Sequence, residues 1–470
     1  MTAESNFFSP GKIKLPISPR SIPTMLLYAD ILGLVVCFYG AMWLRLGQAL
    51  DWFNPLSYLF GFLVLLTLYL ADTYKPDKQI AGLRAPYRIV VSSLFIAVFS
   101  AALIYIFGIW QKNPLLWRSI LLPSLALFTP LAVISRIIAA SYIRSRAEYT
   151  RWLVLGTGDS VKKFAEDFQE KNFLGRLVIL AEDSNEANQL QENKIQCPGT
   201  IKDLSLWTSQ SWDGILIGSE TQLSDALQQT LMDIRLQGTP VYKLSDFYET
   251  LWYKLPSSLL KDTWFVFSGG FNLVSSRVSL KFKRFIDIVF AGLLLVVISP
   301  LILLTAIAIK LDSPGSIFYS QFRSGLNGKP FRVYKFRSMY QDAEKRGAQW
   351  AKERDPRITR VGNFIRLTRI DELPQIWNVF RGEMSMIGPR PERPEFDEKL
   401  KEVIPYYEIR YLIKPGITGW AQVMYPYGAS VEDSYQKLSY DIYYIKNYSL
   451  WLDLAIVLKT IRVVLLGKGR

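Results

Sequence analysis

The sequence predicts a mixed membrane α and α/β fold: a four-helix transmembrane bundle, an α/β domain, and a membrane-associated α+β domain with a re-entrant helix. Three observations predict it. Four apolar runs follow one another between residues 22 and 140. Strand-like and helical patterns alternate over 151–250. A fifth apolar run, Phe285 to Leu311, is interrupted by Ser299-Pro300 and precedes a densely charged stretch at 341–410. A chain of 470 residues is long enough for two or three domains. The expected boundaries are 1–20 for a cytoplasmic N-terminal segment, 21–145 for four transmembrane helices, 146–250 for the α/β domain, 251–280 for a linker, and 281–470 for the last domain, with its re-entrant helix at 284–311.

The four early runs lie near 23–44, 55–72, 89–110 and 117–140, each about the 20 residues a helix needs to cross a bilayer. Residues 1–20 are rich in Pro and Ser, and the run that follows lacks a small-residue cleavage site, so a secretory signal is not expected. Lys75, Lys78, Arg84 and Arg88 lie between the second and third runs, and Arg144, Arg146 and Arg151 follow the fourth. The other connections hold only Arg45, Lys112 and Arg118. This bias places the N-terminus, the middle loop and everything after residue 141 in the cytoplasm.

Half the residues are hydrophobic and the formal net charge is +14. Much of the basic charge flanks apolar runs, which favours a membrane surface or a phosphorylated ligand over nucleic acid. No zinc-finger spacing or RNA-binding aromatic motif is present, so no nucleic-acid partner is expected. Cys37 and Cys197 are too few and too far apart for a disulfide framework or a metal site. The chain has no histidine, which excludes every mechanism that needs an imidazole. Acid–base work falls to carboxylates, lysine or tyrosine.

In the α/β segment, Arg151–Leu155 reads as a strand, followed by Gly156-Thr157-Gly158 and an amphipathic helix from Ser160 to Glu170. Leu177–Leu180, Gly214–Ile217 and Pro240–Tyr242 read as further strands, an alternation that predicts a parallel sheet of Rossmann-like type. The Gly156-x-Gly158 turn matches the start of a dinucleotide fingerprint, and Glu182 and Asp183 stand where a ribose-binding acid belongs. Val161 replaces the third glycine, so a structural or regulatory role is favoured over a cofactor site.

The fifth run admits two readings. As a straight span it carries the rest of the chain to the outer face. As a helix broken at Ser299-Pro300 it returns to the side it came from, because proline removes a hydrogen bond and kinks the chain. The second is preferred, since it keeps the phosphate-binding residue types downstream in the cytoplasm with nucleotide substrates.

Those residues come in a close series. Lys335-Phe336-Arg337-Ser338-Met339 follows a strand-like stretch, then Asp355-Pro356-Arg357, Arg360, Arg366 and Arg369 lead to Asp371-Glu372-Leu373-Pro374-Gln375. Gly388-Pro389-Arg390-Pro391 and Lys414-Pro415-Gly416-Ile417-Thr418-Gly419-Trp420 complete it. Arginine suits phosphate because its planar fork donates two hydrogen bonds at once. A carboxylate pair among such cations stays ionised and can hold Mg²⁺ with a diphosphate. Pro374 fits a first helical turn, placing Asp371 and Glu372 at a helix N-terminus with side chains about 100° apart. They are therefore expected to divide their work: one attacks phosphorus while the other binds metal or handles a proton. An isolated Asp-Glu would be an ordinary helix-start charge, but here its neighbours argue otherwise.

On these motifs residues 281–470 resemble the catalytic domain of the bacterial sugar transferases, the monotopic phosphoglycosyl transferases. With the upstream helices and α/β domain the chain resembles the family's long form, the polyprenyl-phosphate hexose-1-phosphate transferases. The resemblance implies that Asp371 attacks the β-phosphorus of a UDP-sugar, releasing UMP. The phosphosugar then passes to a polyprenyl phosphate, expected to be undecaprenyl phosphate, which starts exopolysaccharide, capsule or O-antigen assembly. It implies Asp371, Glu372 and Lys335 as catalytic residues, with Arg337, Arg366, Arg390 and Lys414 on substrate phosphate. Glu372 is implied as the Mg²⁺ ligand or an aid to the acceptor, and Ser299 and Pro300 as the re-entrant break. Membrane lipids and a homodimer are further expected partners, and the bacterial inner membrane the location.

The tail from Ser449 to Leu466 carries Asp453, Lys459 and Arg462, too many charges for a span. It is either an interfacial amphipathic helix or one packed on the preceding domain. Two other classes remain: a membrane-anchored nucleotide sensor with an inactive last domain, against which the intact Asp371-Glu372 pair argues, and a polytopic transferase, which needs more spans than follow residue 141.

Overall fold

The computed structural model describes residues 21–47, 55–74, 84–107, 117–170, 175–183, 186, 197–208, 210–341, 355–425, 428 and 430–465. The expectations for residues 1–20 and for Lys75, Lys78 and Lys112 lie outside the described residues. The chain forms two compact units, one made of Met1–Arg151 with Phe173–Arg176 and one made of Trp152–Asn172 and Leu177–Arg470.

The first unit is helical: α1 (Ser21–Leu46), α2 (Pro55–Leu70), α3 (Arg84–Phe107) and α4 (Arg118–Tyr149). Leu34, Phe38, Val64, Leu68, Ile89, Ile120 and Phe128 form its core. Large apolar side chains such as Tyr28, Leu44 and Val98 also cover its outer surface. A helix that is apolar all round belongs in a core or a bilayer. Ser21–Leu46, Ala85–Ile106 and Arg118–Ile143 are long and apolar enough to cross a membrane. The second expected span differs: α2 has 16 residues, about 24 Å of helix against a hydrocarbon core of about 30 Å.

Between these helices lies a buried charge pair. Arg136 on α4 forks onto both carboxylate oxygens of Asp30 on α1, with Nη2 2.6 Å from Oδ2. The Tyr74 hydroxyl donates to the same Oδ2 at 2.5 Å, and the guanidinium stands 4.8 Å from the Tyr74 ring centre. Charges within apolar helices face the bundle interior and pair, as here.

The second unit begins with a five-stranded sheet: β1 (Arg151–Leu155), β2 (Arg176–Ala181), β3 (Gly199–Thr200), β4 (Gly214–Ile217) and β5 (Val241–Lys243), in the order β3-β2-β1-β4-β5. β1 pairs with β4, β4 with β5 and β2 with β3, all parallel. Helix α5 (Asp159–Glu170) follows β1, and α6 (Asp225–Leu236) joins β4 to β5. Leu153, Leu155, Leu180 and Ile215 are buried at its centre. Gly156 takes a left-handed φ of 105°. Beside it the Glu220 carboxylate folds against Gly158, where a Cβ would come within 1.4 Å of Oε2.

The segment 251–280, read from the sequence as a linker, carries Leu255 and Leu260 into a core with Leu400, Ile404, Tyr407 and Ile442. Helix α7 (Arg277–Asp312) follows and is continuous through Ser299 and Pro300. The Ser299 hydroxyl donates to the Val296 carbonyl at 2.8 Å. Both ends of α7 are tied to the same folded unit. Near its start Lys283 pairs with Asp453 at 2.8 Å, Arg284 donates to the Val379 and Phe380 carbonyls, and Asp287 accepts from the Met386 amide. Near its end Asp312 accepts from the Val361 amide, and Ile309 packs on Phe336 and Ile365. Its middle exposes Val296, Val297, Leu303 and Leu304.

The remaining elements gather beside α7: an antiparallel hairpin of β6 (Phe318–Ser324) and β7 (Pro330–Phe336), helices α8 (Arg360–Leu367) and α9 (Gln375–Arg381), strand β8 (Ser385–Ile387), α10 (Pro394–Val403), β9 (Gly416–Thr418), α11 (Trp420–Met424), α12 (Val431–Lys446) and α13 (Leu450–Leu465). The tail helix α13 is amphipathic and packed at once. Ile456 is buried and Thr460 hydrogen-bonds Thr418 at 2.7 Å, whereas Trp451 on the opposite side is exposed.

Candidate active site

Asp371 and Glu372 sit in a 3₁₀ turn, Ile370–Glu372, just before α9. The sequence places them at a helix N-terminus, and they lie in the turn that leads into α9, whose N-cap is Pro374. Arg369 enters the turn with a left-handed φ of 59°, a conformation that costs a non-glycine residue about 1–2 kcal/mol. It brings the guanidinium 3.8 Å from Glu372 Oε1.

Asn378 on α9 fixes this turn against the hairpin. Its Nδ2 donates to the Arg332 carbonyl at 2.7 Å, and its Oδ1 accepts from the Tyr334 amide at 3.2 Å. Lys335 on β7 then reaches Glu372 Oε1 at 2.8 Å. Arg390 donates to the same oxygen at 2.8 Å. All three cation contacts fall on Oε1, leaving Oε2 outside these pairs.

Arg390 is placed by close packing of two sequence motifs. A Cβ on Gly388 would lie 2.4 Å from the Lys414 carbonyl, and one on Gly416 2.1 Å from the Gly388 amide nitrogen. Gly388 donates to the Thr418 carbonyl and Gly416 to that of Pro389. Glycine is needed here because two backbones touch.

The two carboxylates differ in charge preference. Asp371 is buried and its Oδ1 has no hydrogen-bond partner. Burial and the neighbouring Glu372 carboxylate push its pKa up against the pull of Lys335, Arg369 and Arg366. For Glu372 burial also pushes upward, but Arg390, Lys335 and Arg369 outweigh it and hold the group well below the usual carboxylate range. Burial lowers Lys335, with Glu372 opposing. Glu372 is thus a fixed anion inside a cation cluster, and Asp371 a desolvated carboxylate with a free acceptor.

These groups line a cavity of about 1610 Å³. Among the described residues its wall holds eleven arginines and lysines against five acids, a net excess that selects an anionic ligand. Arg360 and Arg366 on α8 face it from one side. Among the described residues the Arg366 guanidinium makes no hydrogen bond or ion pair, while its carbonyl accepts from the Arg369 amide. Leu294 of α7 and Val463 and Val464 of α13 give another part of the wall an apolar character.

Two further residues expected on phosphate, Arg337 and Lys414, have the following surroundings. Arg337 lines the cavity, but its Nη1 donates to the Pro314 carbonyl at 2.7 Å and its Nη2 to Ser313 O and Oγ at 2.7 and 2.9 Å. It clamps the end of α7 to β7. Lys414 is not among the cavity-lining residues. Burial first, and then Arg284 on α7, lower its pKa, while Asp287 opposes.

Among the described residues no group of three or more Cys, Asp or Glu side chains could hold a metal alone. The residues do fit Mg²⁺ arriving with a diphosphate, because such an ion needs only one or two protein carboxylates. Asp371 Oδ1 and Glu372 Oε2 are the acceptors available for it.

The site is thus a net-cationic cavity around an unpartnered carboxylate, walled in part by apolar helices. A family profile described as bacterial sugar transferase matches residues 278–467. The chain is 44% identical over 250 residues to a UDP-N-acetylgalactosamine-undecaprenyl-phosphate N-acetylgalactosaminephosphotransferase of Aeromonas hydrophila, covering 53% of this chain and 58% of that one. It is 43% identical over 188 residues to a UDP-glucose:undecaprenyl-phosphate glucose-1-phosphate transferase of Escherichia coli, 40% of each chain. It is 31% identical over 352 residues to an uncharacterized sugar transferase of Haemophilus influenzae, covering 67% and 69%. The chain therefore belongs to the bacterial sugar transferase family. The match spans about half the length of the first two relatives.

Proposed function

We propose that this chain transfers a hexose 1-phosphate from a UDP-sugar to undecaprenyl phosphate at the cytoplasmic face of a bacterial inner membrane, as the first step of exopolysaccharide, capsule or O-antigen assembly. The observation that carries the reading is Asp371, a buried carboxylate with an unpartnered oxygen in a net-cationic cavity. The names of two relatives supply the substrate class.

In the proposed first step an Asp371 carboxylate oxygen attacks the β-phosphorus, forming an Asp371–phosphate bond. The bond from that phosphorus to the bridging oxygen breaks, and the oxygen leaves on UMP. In the second step a phosphate oxygen of undecaprenyl phosphate attacks the same phosphorus, giving undecaprenyl-diphosphate-sugar and restoring the carboxylate. Neither step requires a base, which suits a chain without histidine. Desolvation leaves Asp371 poorly stabilised as a free anion, which favours attack on phosphorus. Lys335 and Arg390 stand where charge on the phosphoryl oxygens needs compensation, and Arg366 meets the nucleotide phosphate. Mg²⁺ held by Glu372 would add Lewis-acid neutralisation of the diphosphate.

The re-entrant reading of α7 is part of the proposal. A straight helix of 36 residues is about 54 Å long. Both its ends hold one folded unit while apolar side chains cover its middle, which favours a helix that dips into one leaflet and returns. The sheet of β1–β5 has the strand order of a Rossmann-like domain. Glu220 against its glycine turn supports a structural or regulatory role over binding a phosphate there.

Purified chain with Mg²⁺, undecaprenyl phosphate and a panel of UDP-sugars should release UMP from at least one donor. Absence of release from every donor would refute the assignment.

A further inference from the structure

Two buried acceptors in the cavity wall take no part in the phosphate chemistry. Asp441 on α12 and Gln422 on α11 both line the cavity. Asp441 Oδ2 and Gln422 Oε1 are buried and receive no hydrogen bond. Folded proteins leave few such atoms, and two in one cavity wall call for donors from a ligand.

Asp441 has a counter-ion, but a counter-ion does not satisfy it. Arg410 stands 3.3 Å from Oδ2 without hydrogen-bond alignment. Its Nη1 donates instead to the Tyr407 hydroxyl at 2.5 Å and its Nη2 to the Arg390 carbonyl at 2.7 Å. For Gln422, Nε2 donates to the Ile417 carbonyl at 3.3 Å, while Oε1 is left over.

The same contacts locate these acceptors. Arg390 binds Glu372 with its side chain and Arg410 with its carbonyl, and Arg410 borders Asp441. Asp441 therefore lies one guanidinium beyond the arginine assigned to phosphate. A hexose linked to that phosphate presents hydroxyl and acetamido N–H donors, which complement bare acceptors.

We infer that Asp441 and Gln422 are specificity-determining residues that accept hydrogen bonds from the sugar of the donor nucleotide. The inference rests on the transferase reading above. A site built to bond a particular hydroxyl rejects an analogue that lacks it. Glucose and N-acetylgalactosamine, which two relatives' names carry, differ at C2 and C4.

The test uses the full chain in lipid nanodiscs with UDP-glucose, UDP-galactose, UDP-N-acetylglucosamine and UDP-N-acetylgalactosamine. Asp441→Asn and Gln422→Leu should each change the ratio of kcat/KM between the preferred donor and its C2 or C4 analogue by about ten-fold or more. Inhibition by UMP, which carries no sugar, should hold within about two-fold. Gln422→Leu removes an unsatisfied acceptor together with one long hydrogen bond to the Ile417 carbonyl, so its unfolding midpoint should shift by no more than a few degrees, and it decides the matter if Asp441→Asn folds poorly. Equal losses for all four donors, or a parallel loss of UMP inhibition, would overturn the inference. A wild-type chain that releases no UMP from any donor overturns the transferase reading, and this inference with it.

Discussion

Replacing Lys335 with methionine separates a catalytic cation from a mere counter-ion. Lys335 Nζ lies 2.8 Å from Glu372 Oε1. At an effective dielectric of about 20, unit charges at that separation attract by about 6 kcal/mol before desolvation is counted. Arg390 remains on the same oxygen at 2.8 Å, so Glu372 is not abandoned. The stability loss should therefore fall below the roughly 3–5 kcal/mol of an uncompensated buried charge. About 1–2 kcal/mol is expected, a fall of a few degrees in unfolding midpoint. Catalysis should suffer more. Removing one preorganised donor to developing charge costs about 10²–10³ in kcat, with KM for the UDP-sugar little changed. The pH profile should move too. Lys335 lowers the pKa of both Asp371 and Glu372, so its loss raises both and shifts the acid limb to higher pH. Steady-state UMP release across pH measures all of this. A Lys335→Met chain with kcat within two-fold of wild type and an unmoved acid limb would show that Lys335 only neutralises Glu372.

Arg337→Ala should lower the unfolding midpoint by several degrees, because three charged hydrogen bonds to Ser313 and Pro314 are lost; a selective rise in KM with unchanged stability would instead restore it to the phosphate site. In the helical unit, Arg136→Met strands Asp30 and should cost about 3–5 kcal/mol in detergent-solubilised protein, with Asp30→Asn in the same chain recovering most of it. A double variant no more stable than the single one would contradict this. Asp441, which faces Arg410, Lys437 and Glu392, is pushed by burial up to about 6. A raised carboxylate pKa stabilises the fold below its unfolded value near 4, and that contribution is lost as pH rises through about 6. The midpoint difference between Asp441→Asn and wild type should accordingly change between pH 4 and 6.5 and be flat above; a pH-independent difference would contradict the shift.

Local patterns were legible in the sequence. β1 and β4 have the predicted limits, α5 begins one residue before its predicted start, and the apolar run at 285–311 is the body of α7. Asp371, Glu372, Lys335 and Arg390 converge as their motifs suggested, because each is fixed by a strand or turn with its own short-range signature. What the sequence hid depends on distant partners. Arg337 binds backbone carbonyls of Ser313 and Pro314, which have no residue type to recognise. Lys414 shares a motif with the glycines that place Arg390, yet its own neighbours are Arg284 and Asp287 on α7. Asn378 clamps the Asp-Glu turn through backbone groups of β7. Asp30 and Arg136 sit 106 positions apart in two separate apolar runs, and no local pattern in either pairs them. β3 is two residues long, too short for any alternation.

The proposed chemistry turns on Asp371 as the attacking group. Incubating the chain with its UDP-sugar and Mg²⁺, without undecaprenyl phosphate, should release UMP up to the amount of enzyme and no further. The protein should gain the mass of one hexose phosphate on the peptide that carries Asp371. Adding undecaprenyl phosphate should remove that mass, and Asp371→Asn should never acquire it. Rapid transfer to lipid with no such adduct in a quenched reaction, or an adduct that persists in Asp371→Asn, would contradict the account.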